Sequence, residues 1–190
     1  MAEGGQGQQQ QQNTKSQPQQ QAEKNGDLEA AWENLETSRV IIQKKIEKKD
    51  YGDEEKIKLL KQQALIHHRL GAALAWQDEF KQAIQEYTQC LALREQACDA
   101  KRSRDVAGTL YTIGITLCYL NDNERNELGL EPVDFFKRAA EIFENLIKEN
   151  YEKRGVQLPA YQVIKLVSIF LHSLGGSEWD QGWTCPGEWG

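Results

Sequence analysis

An apolar pattern over residues 64–97 sets the spacing of two consecutive helices. Counting from residue 64, Gly71 stands at the eighth place and the large rings of Phe80 and Tyr87 at the seventeenth and twenty-fourth. Steps of three and four residues put each apolar set on one side of a helix, and a glycine lets two helix backbones approach closely. A polar turn separates the two runs, and its Asp78 is the predicted N-cap of the second helix. The stretch therefore predicts an antiparallel helix pair.

The pattern recurs from Ala107 onward. Gly114 takes the place of the first glycine, Asp134 takes the place of the N-cap, and Phe136 and Phe143 are assigned to the two aromatic places. The glycines are 43 residues apart (114 minus 71), whereas the first aromatic places are 56 apart (136 minus 80). This assignment gives the second repeat a 13-residue insertion (56 minus 43), around NERNELGLEP. The insertion is polar and contains glycine and proline, so we expect a loop.

Upstream, LEAAWENLETS repeats the pattern of a second helix without a first one. Recurrence of helix pairs with this spacing is typical of tetratricopeptide (TPR) arrays, and the chain holds about two and a half such units. The sequence therefore predicts an all-α fold, a TPR helical solenoid of antiparallel helix pairs.

Composition divides the chain into four segments. Residues 1–26 are Gln-rich, contain nothing that could start a core and are expected to be disordered. The repeats occupy residues 27–158. Residues 159–174 are a candidate capping helix, because the last unit of a solenoid must cover an apolar face. Residues 175–190 place three tryptophans among glycines without a helix or strand period. We expect an unstructured tail there, with an aromatic ligand-binding cluster as the alternative.

The periodicity predicts five helices within the repeat region, at residues 27–49, 54–76, 79–100, 105–120 and 133–151. In the second of them, the candidates for burial are Ile57, Leu60, Ala64, Leu70 and Leu74. The stretch KKIEKK near the end of the first fits a solvated helix face, with a nuclear import signal as the alternative.

No pattern of catalytic or metal-binding residues emerges. The chain has no Gly-rich phosphate loop, no HExxH and no nucleophile elbow. His67 and His68 are adjacent on a helix and point in different directions, so they cannot share a metal ion. NDNERNE lacks the spacing of a calcium loop. The four cysteines form no CxxC and are predicted to be buried or half-buried thiols. We expect no enzyme activity, no cofactor and no metal.

The net charge limits the classes of molecule that the chain is expected to bind. A charge of −6 and a pI near 5.2 argue against direct binding of nucleic acid and are compatible with a basic protein partner. The longest apolar run, residues 163–174, contains Lys165 and His172 and is shorter than the roughly 20 residues that span a bilayer. The first residues lack the apolar segment of a secretory signal. We expect a soluble intracellular protein without a membrane segment.

The first helix of each TPR repeat lines the concave face with its second, fifth, ninth, twelfth and thirteenth places. Here the twelfth places hold Ala75 and Cys118, and the predicted partner-binding groove consists of Leu65, His68, Ala72, Trp76, Gly108, Tyr111, Ile115 and Tyr119. This face is apolar and aromatic, so it fits a partner helix or an extended peptide. The alternative is that residues 159–174 fill the groove as core.

Four segments taken in order resemble the SHNi-type TPR domain of the nuclear autoantigenic sperm protein family. They begin AWENLETSRVI, QALIHHRLGAALAW, SRDVAGTLYTIG and FFKRAAEIFENLI, and AWENLE..RVI and YTQCLALREQ are the most specific motifs. The resemblance covers roughly residues 27–147. It implies a nuclear histone chaperone, also present in the cytoplasm, for storage, transport and chromatin assembly. The implied partner is the pair of histones three and four, with linker histone as a further one.

The resemblance is incomplete in the groove. Tyr111 matches a groove tyrosine of the family, but the family's groove acids fall on Ala72, Trp76 and Gly108. The resemblance therefore implies either apolar contacts in place of charged ones or reduced histone binding. Two other functions stay open, a TPR interaction scaffold and a co-chaperone adaptor. The adaptor needs Lys, Asn and Arg in the groove, where His68 and Ile115 stand. Assembly into a homodimer is also left open.

Overall fold

A computed structural model describes residues 17–160, 162–167 and 169, with side chains described from residue 26 onward. Its helices are α1 (Gln17–Lys48), α2 (Asp53–Ala75), α3 (Phe80–Ala97), α4 (Arg104–Cys118), α5 (Asp122–Leu128) and α6 (Pro132–Glu152). Helical backbone recurs at residues 160, 162–167 and 169. Every regular element in the described part of the chain is helical, which confirms the predicted all-α TPR fold.

The first repeat is the antiparallel pair α2 and α3. A Cβ built on Gly71 would lie 2.7 Å from Cε1 of the Tyr87 ring, which is fully buried, so only glycine allows this approach. The predicted N-cap is wrong. Asp78 has φ of 61°, a left-handed conformation that reverses the chain, and the residue before α3 is Glu79, whose side chain makes no capping hydrogen bond.

The second repeat is the pair α4 and α6, and its register differs from the one that the sequence predicts. A Cβ on Gly114 would lie 2.6 Å from the ring of Phe136, not from that of Phe143. The Tyr111 and Phe136 ring centroids are 5.6 Å apart, as those of His68 and Tyr87 are 5.4 Å apart in the first repeat. Phe136 is therefore the spatial counterpart of Tyr87, and its assignment to the place of Phe80 is wrong.

With this register, the insertion in the second repeat is shorter than the sequence pattern predicts. Gly71 and Tyr87 are separated by 16 residues (87 minus 71), whereas Gly114 and Phe136 are separated by 22 (136 minus 114). The second repeat thus has six extra residues between these contacts (22 minus 16), not 13. The reason is that α6 begins only at Pro132, four residues before the packed ring, and Asp134 lies in its first turn rather than at its N-cap.

The insertion forms α5 instead of the expected loop. Its N-cap Asn121 accepts a hydrogen bond from the backbone N–H of Glu124, and the Glu124 carboxylate accepts one from the Asn121 N–H, which is a capping box. Gly129 closes the helix at φ of 64°. Lys81 of α3 holds α5 by ion pairs with Glu127 at 2.9 Å and Glu124 at 3.6 Å.

One hydrophobic core joins the two repeats, because α3 packs against both α2 and α4. A polar link lies beside it, where the Arg94 guanidinium donates to the carbonyl of Asp105 at 2.8 Å and to the Thr109 hydroxyl at 2.5 Å. Val163 is buried, and Val167 packs against the same core. The described part of the capping segment therefore covers some of the core, while its remainder and the predicted tail at 175–190 lie outside the described residues.

The first helix differs from the others in length and packing. It begins at Gln17, so the last part of the segment expected to be disordered is helical, whereas residues 1–16 lie outside the described part. It packs along α2, yet none of its residues with described side chains is buried. Val40 and Ile41 are 47% and 51% exposed. In α2 the predicted core residues from Leu60 onward are buried, namely Leu60, Ala64, Leu70 and Leu74, but Ile57 is 41% exposed, contrary to the prediction.

Candidate partner-binding groove

The predicted groove residues of α2 follow one side of that helix. Leu65, His68, Ala72 and Trp76 are spaced by three, four and four residues, which keeps them on a single stripe. Leu65 is 49% exposed and Trp76 is 57% exposed, while the other two are half-buried. At the twelfth place, Ala75 is buried in the core and does not line a groove, contrary to the prediction. The α2 stripe is an apolar surface with a large exposed tryptophan.

The predicted residues of α4 form a second stripe with the same spacing. Gly108, Tyr111, Ile115 and Tyr119 are all half-buried. The two tyrosine rings also pack against rings of the helix layer. Tyr111 contacts the Phe136 ring, and Tyr119 stacks on Phe80 with ring centroids 5.2 Å apart and an interplanar angle of 16°. These contacts fix the tyrosine rings before any partner binds. The α4 stripe is therefore less exposed and more rigid than the α2 stripe.

The two stripes end at the same side of the molecule, around the α2–α3 turn. Trp76 is the C-cap of α2, and its N–H bonds to the Ala72 carbonyl at 3.0 Å. Four residues later, Phe80 is the first residue of α3, and its ring stacks against that of Tyr119. The turn between them carries the exposed acids Asp78 and Glu79. Aromatic and acidic groups are thus concentrated at this end.

The apolar stripe extends upstream along α2, which the sequence prediction missed. An open depression of about 440 Å³ is lined by Glu54, Ile57, Lys58, Lys61, Gln62 and Leu65. The signal was present, because Ile57 and Leu65 are eight residues apart and so lie on neighbouring parts of one helix face. Ile57, which the periodicity predicts to be buried, instead lines this exposed depression.

Polar groups inside the helix layer support the fold. His67 is buried, and its Nδ1 lies 2.7 Å from a carboxylate oxygen of Glu86, which ties α2 to α3. Burial raises the pKa of the Cys90 thiol, against the opposing effects of the Arg94 charge and a contact with Thr109. Cys98 is half-buried but Cys118 is exposed, contrary to the prediction, because the twelfth place of α4 faces solvent.

The described residues contain no group of three or more His, Cys, Asp or Glu side chains that could hold a metal ion. Within the same ranges no helix is long and apolar enough to cross a membrane.

Part of the first repeat matches a known protein family. Residues 70–101, which run from late α2 through α3 into the following loop, match the SHNi-TPR family model. Nuclear autoantigenic sperm protein of Oryctolagus cuniculus is 28% identical over 130 residues, and that of Homo sapiens is 28% identical over 120. The chain thus contains a stretch that matches the SHNi-TPR family and is similar to nuclear autoantigenic sperm protein.

The similarity covers about two thirds of this chain and a small part of its relatives. The aligned regions span 68% and 63% of this chain but only 16% and 13% of the rabbit and human proteins. The protein of Bos taurus gives 29% identity over 119 residues, again 13% of its length. The matched family model lies on the α2–α3 pair, which carries the exposed half of the candidate groove.

Proposed function

We propose that this protein is a non-enzymatic histone chaperone of the nucleus that binds the pair of histones three and four. The observation that carries the proposal is the similarity to nuclear autoantigenic sperm protein over about two thirds of the chain, together with the SHNi-TPR match at residues 70–101. In this proposal the α2 and α4 stripes receive a helix or an extended tail of histone three. The chain would keep that histone soluble for storage, transport and chromatin assembly.

Apolar contact supplies the main attraction in the proposed complex. Trp76 and Leu65 are the most exposed groove residues, and a large aromatic side chain beside a concave surface is the usual anchor of a peptide interface. The half-buried Ala72 lies one turn before Trp76 and leaves room for a ligand side chain. An amphipathic histone helix would place its apolar side on this stripe.

Acids at the groove end complement the basic partner. The family's groove acids are replaced here by Ala72, Trp76 and Gly108, but Asp78 and Glu79 lie exposed in the α2–α3 turn. Lys81 holds the acidic helix α5 near the start of α3. The net charge of −6 gives a further long-range attraction for a histone. Charged contacts therefore surround the apolar stripe instead of lying on it.

The test is titration of the full-length chain into fluorescently labelled histone pair, followed by anisotropy at two salt concentrations. We expect saturable binding, and we expect Trp76→Ala to weaken it about tenfold or more, because exposed aromatic anchors typically contribute most of the energy of such interfaces. Val133→Ala, a truncation of a half-exposed apolar residue at the start of α6, is the matched control and should leave the affinity unchanged. No binding, or equal loss in both variants, would reject the proposed groove.

A scaffold that docks an apolar helix of another protein is the second candidate, and the depression at Ile57 favours it. Lys58 and Lys61 flank that depression, so this end of the stripe suits an apolar ligand with acidic groups better than a histone. A labelled amphipathic acidic peptide that binds, while the histone pair does not, would select the scaffold. A peptide ending in EEVD tests the co-chaperone adaptor in the same assay, and we expect it not to bind because His68, Ala72, Tyr111 and Ile115 supply no cationic clamp.

A further inference from the structure

The last described helix presents apolar side chains to solvent. This terminal helix comprises residues 160, 162–167 and 169. Its Val163 is buried and its Val167 packs against the core. Successive residues of a helix are about 100° apart, so the part of the circumference that faces away from the core is an arc of about 140°. This arc, which we call the terminal face, carries Ile164, Lys165 and Ile169, all of them exposed.

An apolar outer face is unusual for the end of a helical array. The terminal unit of a solenoid normally turns a polar face to water, because no further repeat covers it. Here Ile164 is 66% exposed and Ile169 is 54% exposed, whereas Trp76, the proposed anchor of the partner, is 57% exposed. Exposed apolar surface of this kind marks a place where another segment or protein binds.

The chain itself contains a segment whose composition complements this face. Residues 175–190, which lie outside the described part of the chain, contain three tryptophans. They also contain the acids Glu178, Asp180 and Glu188, and no lysine, arginine or histidine. The tryptophans offer apolar area to the two isoleucines, and the acids complement the exposed Lys165.

The segment is also long enough to reach the terminal face. Ten residues separate Ile169 from Trp179 (179 minus 169), and an extended chain of that length spans up to about 35 Å. Gly175 and Gly176 permit a reversal of the chain before the first tryptophan. Because the segment is tethered, its effective concentration at the face is on the order of 1 mM. A dissociation constant on the order of 100 μM would then keep the face occupied most of the time.

We propose that residues 175–190 bind the terminal face and close the end of the helical array. The tryptophans cover Ile164 and Ile169, and the acids around Trp179 pair with Lys165. The segment that composition predicts to be an unstructured tail thereby gains a binding site within its own chain. This contact is distinct from the proposed function, which uses the stripes on α2 and α4.

The experiment is photo-cross-linking within the full-length chain. The photoreactive residue p-benzoylphenylalanine replaces Ile164, and after irradiation peptide mass spectrometry identifies what it has attached to. The chain is kept at about 1 μM, far below the effective concentration of a tethered segment, so that contacts within one chain dominate. The control carries the same photoreactive residue at Val156, which is 46% exposed and precedes the terminal helix. We expect an adduct with residues 175–190 in roughly tenfold higher yield from Ile164 than from Val156.

Charge variants in the same assay test the proposed pairing. Lys165→Glu, or Glu178→Lys with Asp180→Lys, places like charges together, so we expect each to lower the yield about threefold or more. Combining the two sets restores opposite charges and should return the yield to within about twofold of the original. Lys58→Glu makes the same change of net charge at an exposed position of α2 and should leave the yield unaltered.

Three results would overturn the proposal. Equal yields from Ile164 and Val156 would mean that the segment does not prefer the terminal face. An adduct that joins two chains, seen as a doubled mass on a denaturing gel, would mean that a second copy covers it instead. Combined charge variants that fail to recover the yield would exclude the pairing with Lys165. Circular dichroism should show the same helix content in every variant, since the substituted positions of the terminal helix are exposed.

Discussion

At the scale of single residues, two glycines determine how closely the paired helices approach. Gly71 and Gly114 each face an aromatic ring on the second helix of their repeat, at distances where no Cβ fits. The facing ring of Tyr87 is fully buried and cannot move aside. The two positions are therefore equivalent in three dimensions although the rings that they face have different sequence places.

Replacing either glycine should destabilise the fold. For Gly71→Ala and Gly114→Ala we expect the free energy of unfolding to fall by about 1–2 kcal/mol, because overpacking outweighs the better helix propensity of alanine. Urea denaturation followed by circular dichroism measures this. Gly26→Ala is the matched control, since nothing lies within 4 Å of its Cβ, and it should be neutral or stabilising. A neutral Gly114→Ala would refute the contact with Phe136.

The cysteines should differ in reactivity according to burial. At neutral pH we expect a thiol reagent to label the exposed Cys118 rapidly and the buried Cys90 only after unfolding, as read by peptide mass spectrometry. Rapid labelling of Cys90 in the folded protein would contradict its burial.

The raised pKa of Cys90 also predicts a dependence of stability on pH. Because the folded state holds this proton to higher pH than the unfolded state, the contribution is fully present below the ordinary pKa of 9.0 and is lost as the pH rises from there through the raised pKa of the folded thiol. Relative to Cys90→Ala, the unmodified chain should lose Tm as the pH rises above 9.0. A constant difference in Tm over that range would exclude the effect.

At the scale of helices, α5 changes how the second repeat is built. It forms within a polar insertion and has no fully buried residue, so its stability comes from its caps, from the ion pairs with Lys81 and from the contact of Leu128 with the core. The capping box satisfies two backbone N–H donors at the helix start, those of Asn121 and Glu124. Because α5 and its link occupy the chain before Pro132, Gly114 meets α6 at Phe136, two turns earlier in α6 than the Phe143 position that the repeat pattern indicates.

Removing the cap should melt α5 locally. We expect Asn121→Ala to cost about 1 kcal/mol of local helix stability, which corresponds to roughly fivefold faster amide exchange in α5. Hydrogen exchange with mass spectrometry measures this, and the Tm of the whole chain should hardly change because α5 has no fully buried residue. Asn126→Ala, in the exposed middle of α5, is the control and should leave exchange unaltered. Faster exchange throughout α4 and α6 would contradict a local role.

At the scale of the whole molecule, burial is distributed unevenly along the solenoid. The helices α2, α3, α4 and α6 share a continuous core, whereas the described side chains of α1 include no buried residue. Solenoid units are stabilised mainly by their neighbours, so a terminal helix that packs on one neighbour opens more easily.

We therefore expect two classes of amide exchange at low protein concentration. Amides of α1 should exchange through local opening, while those of α2 through α4 should require global unfolding. Hydrogen exchange across a denaturant series separates the two classes, because local opening depends little on denaturant. Equal protection of α1 and α4 in dilute solution would contradict this difference.

Local periodicity was sufficient to predict most of the helix layer. The steps of three and four residues in α2 and α3 placed Gly71 and Tyr87 between the two helices, where the structure brings them into contact, and Leu65 and Trp76 on another side of α2, which is exposed. These relations depend only on helix geometry and on a short turn, both of which act over a few residues. The same pattern predicted the all-α TPR fold, whereas the division into segments and the binding role of the groove residues stay predictions.

What the sequence by itself determined was which side of each helix is apolar and which helices pair, because both follow from spacing within one helix and from short connections. Only the tertiary structure decided that Phe136 packs on Gly114, that Ile57 is exposed, and that Tyr111 and Tyr119 rest against Phe136 and Phe80. Those outcomes depend on where α5 and α6 begin and on which neighbouring helix covers each position. Such contacts join residues distant in the chain, and the spacing within a single helix contains no information about them.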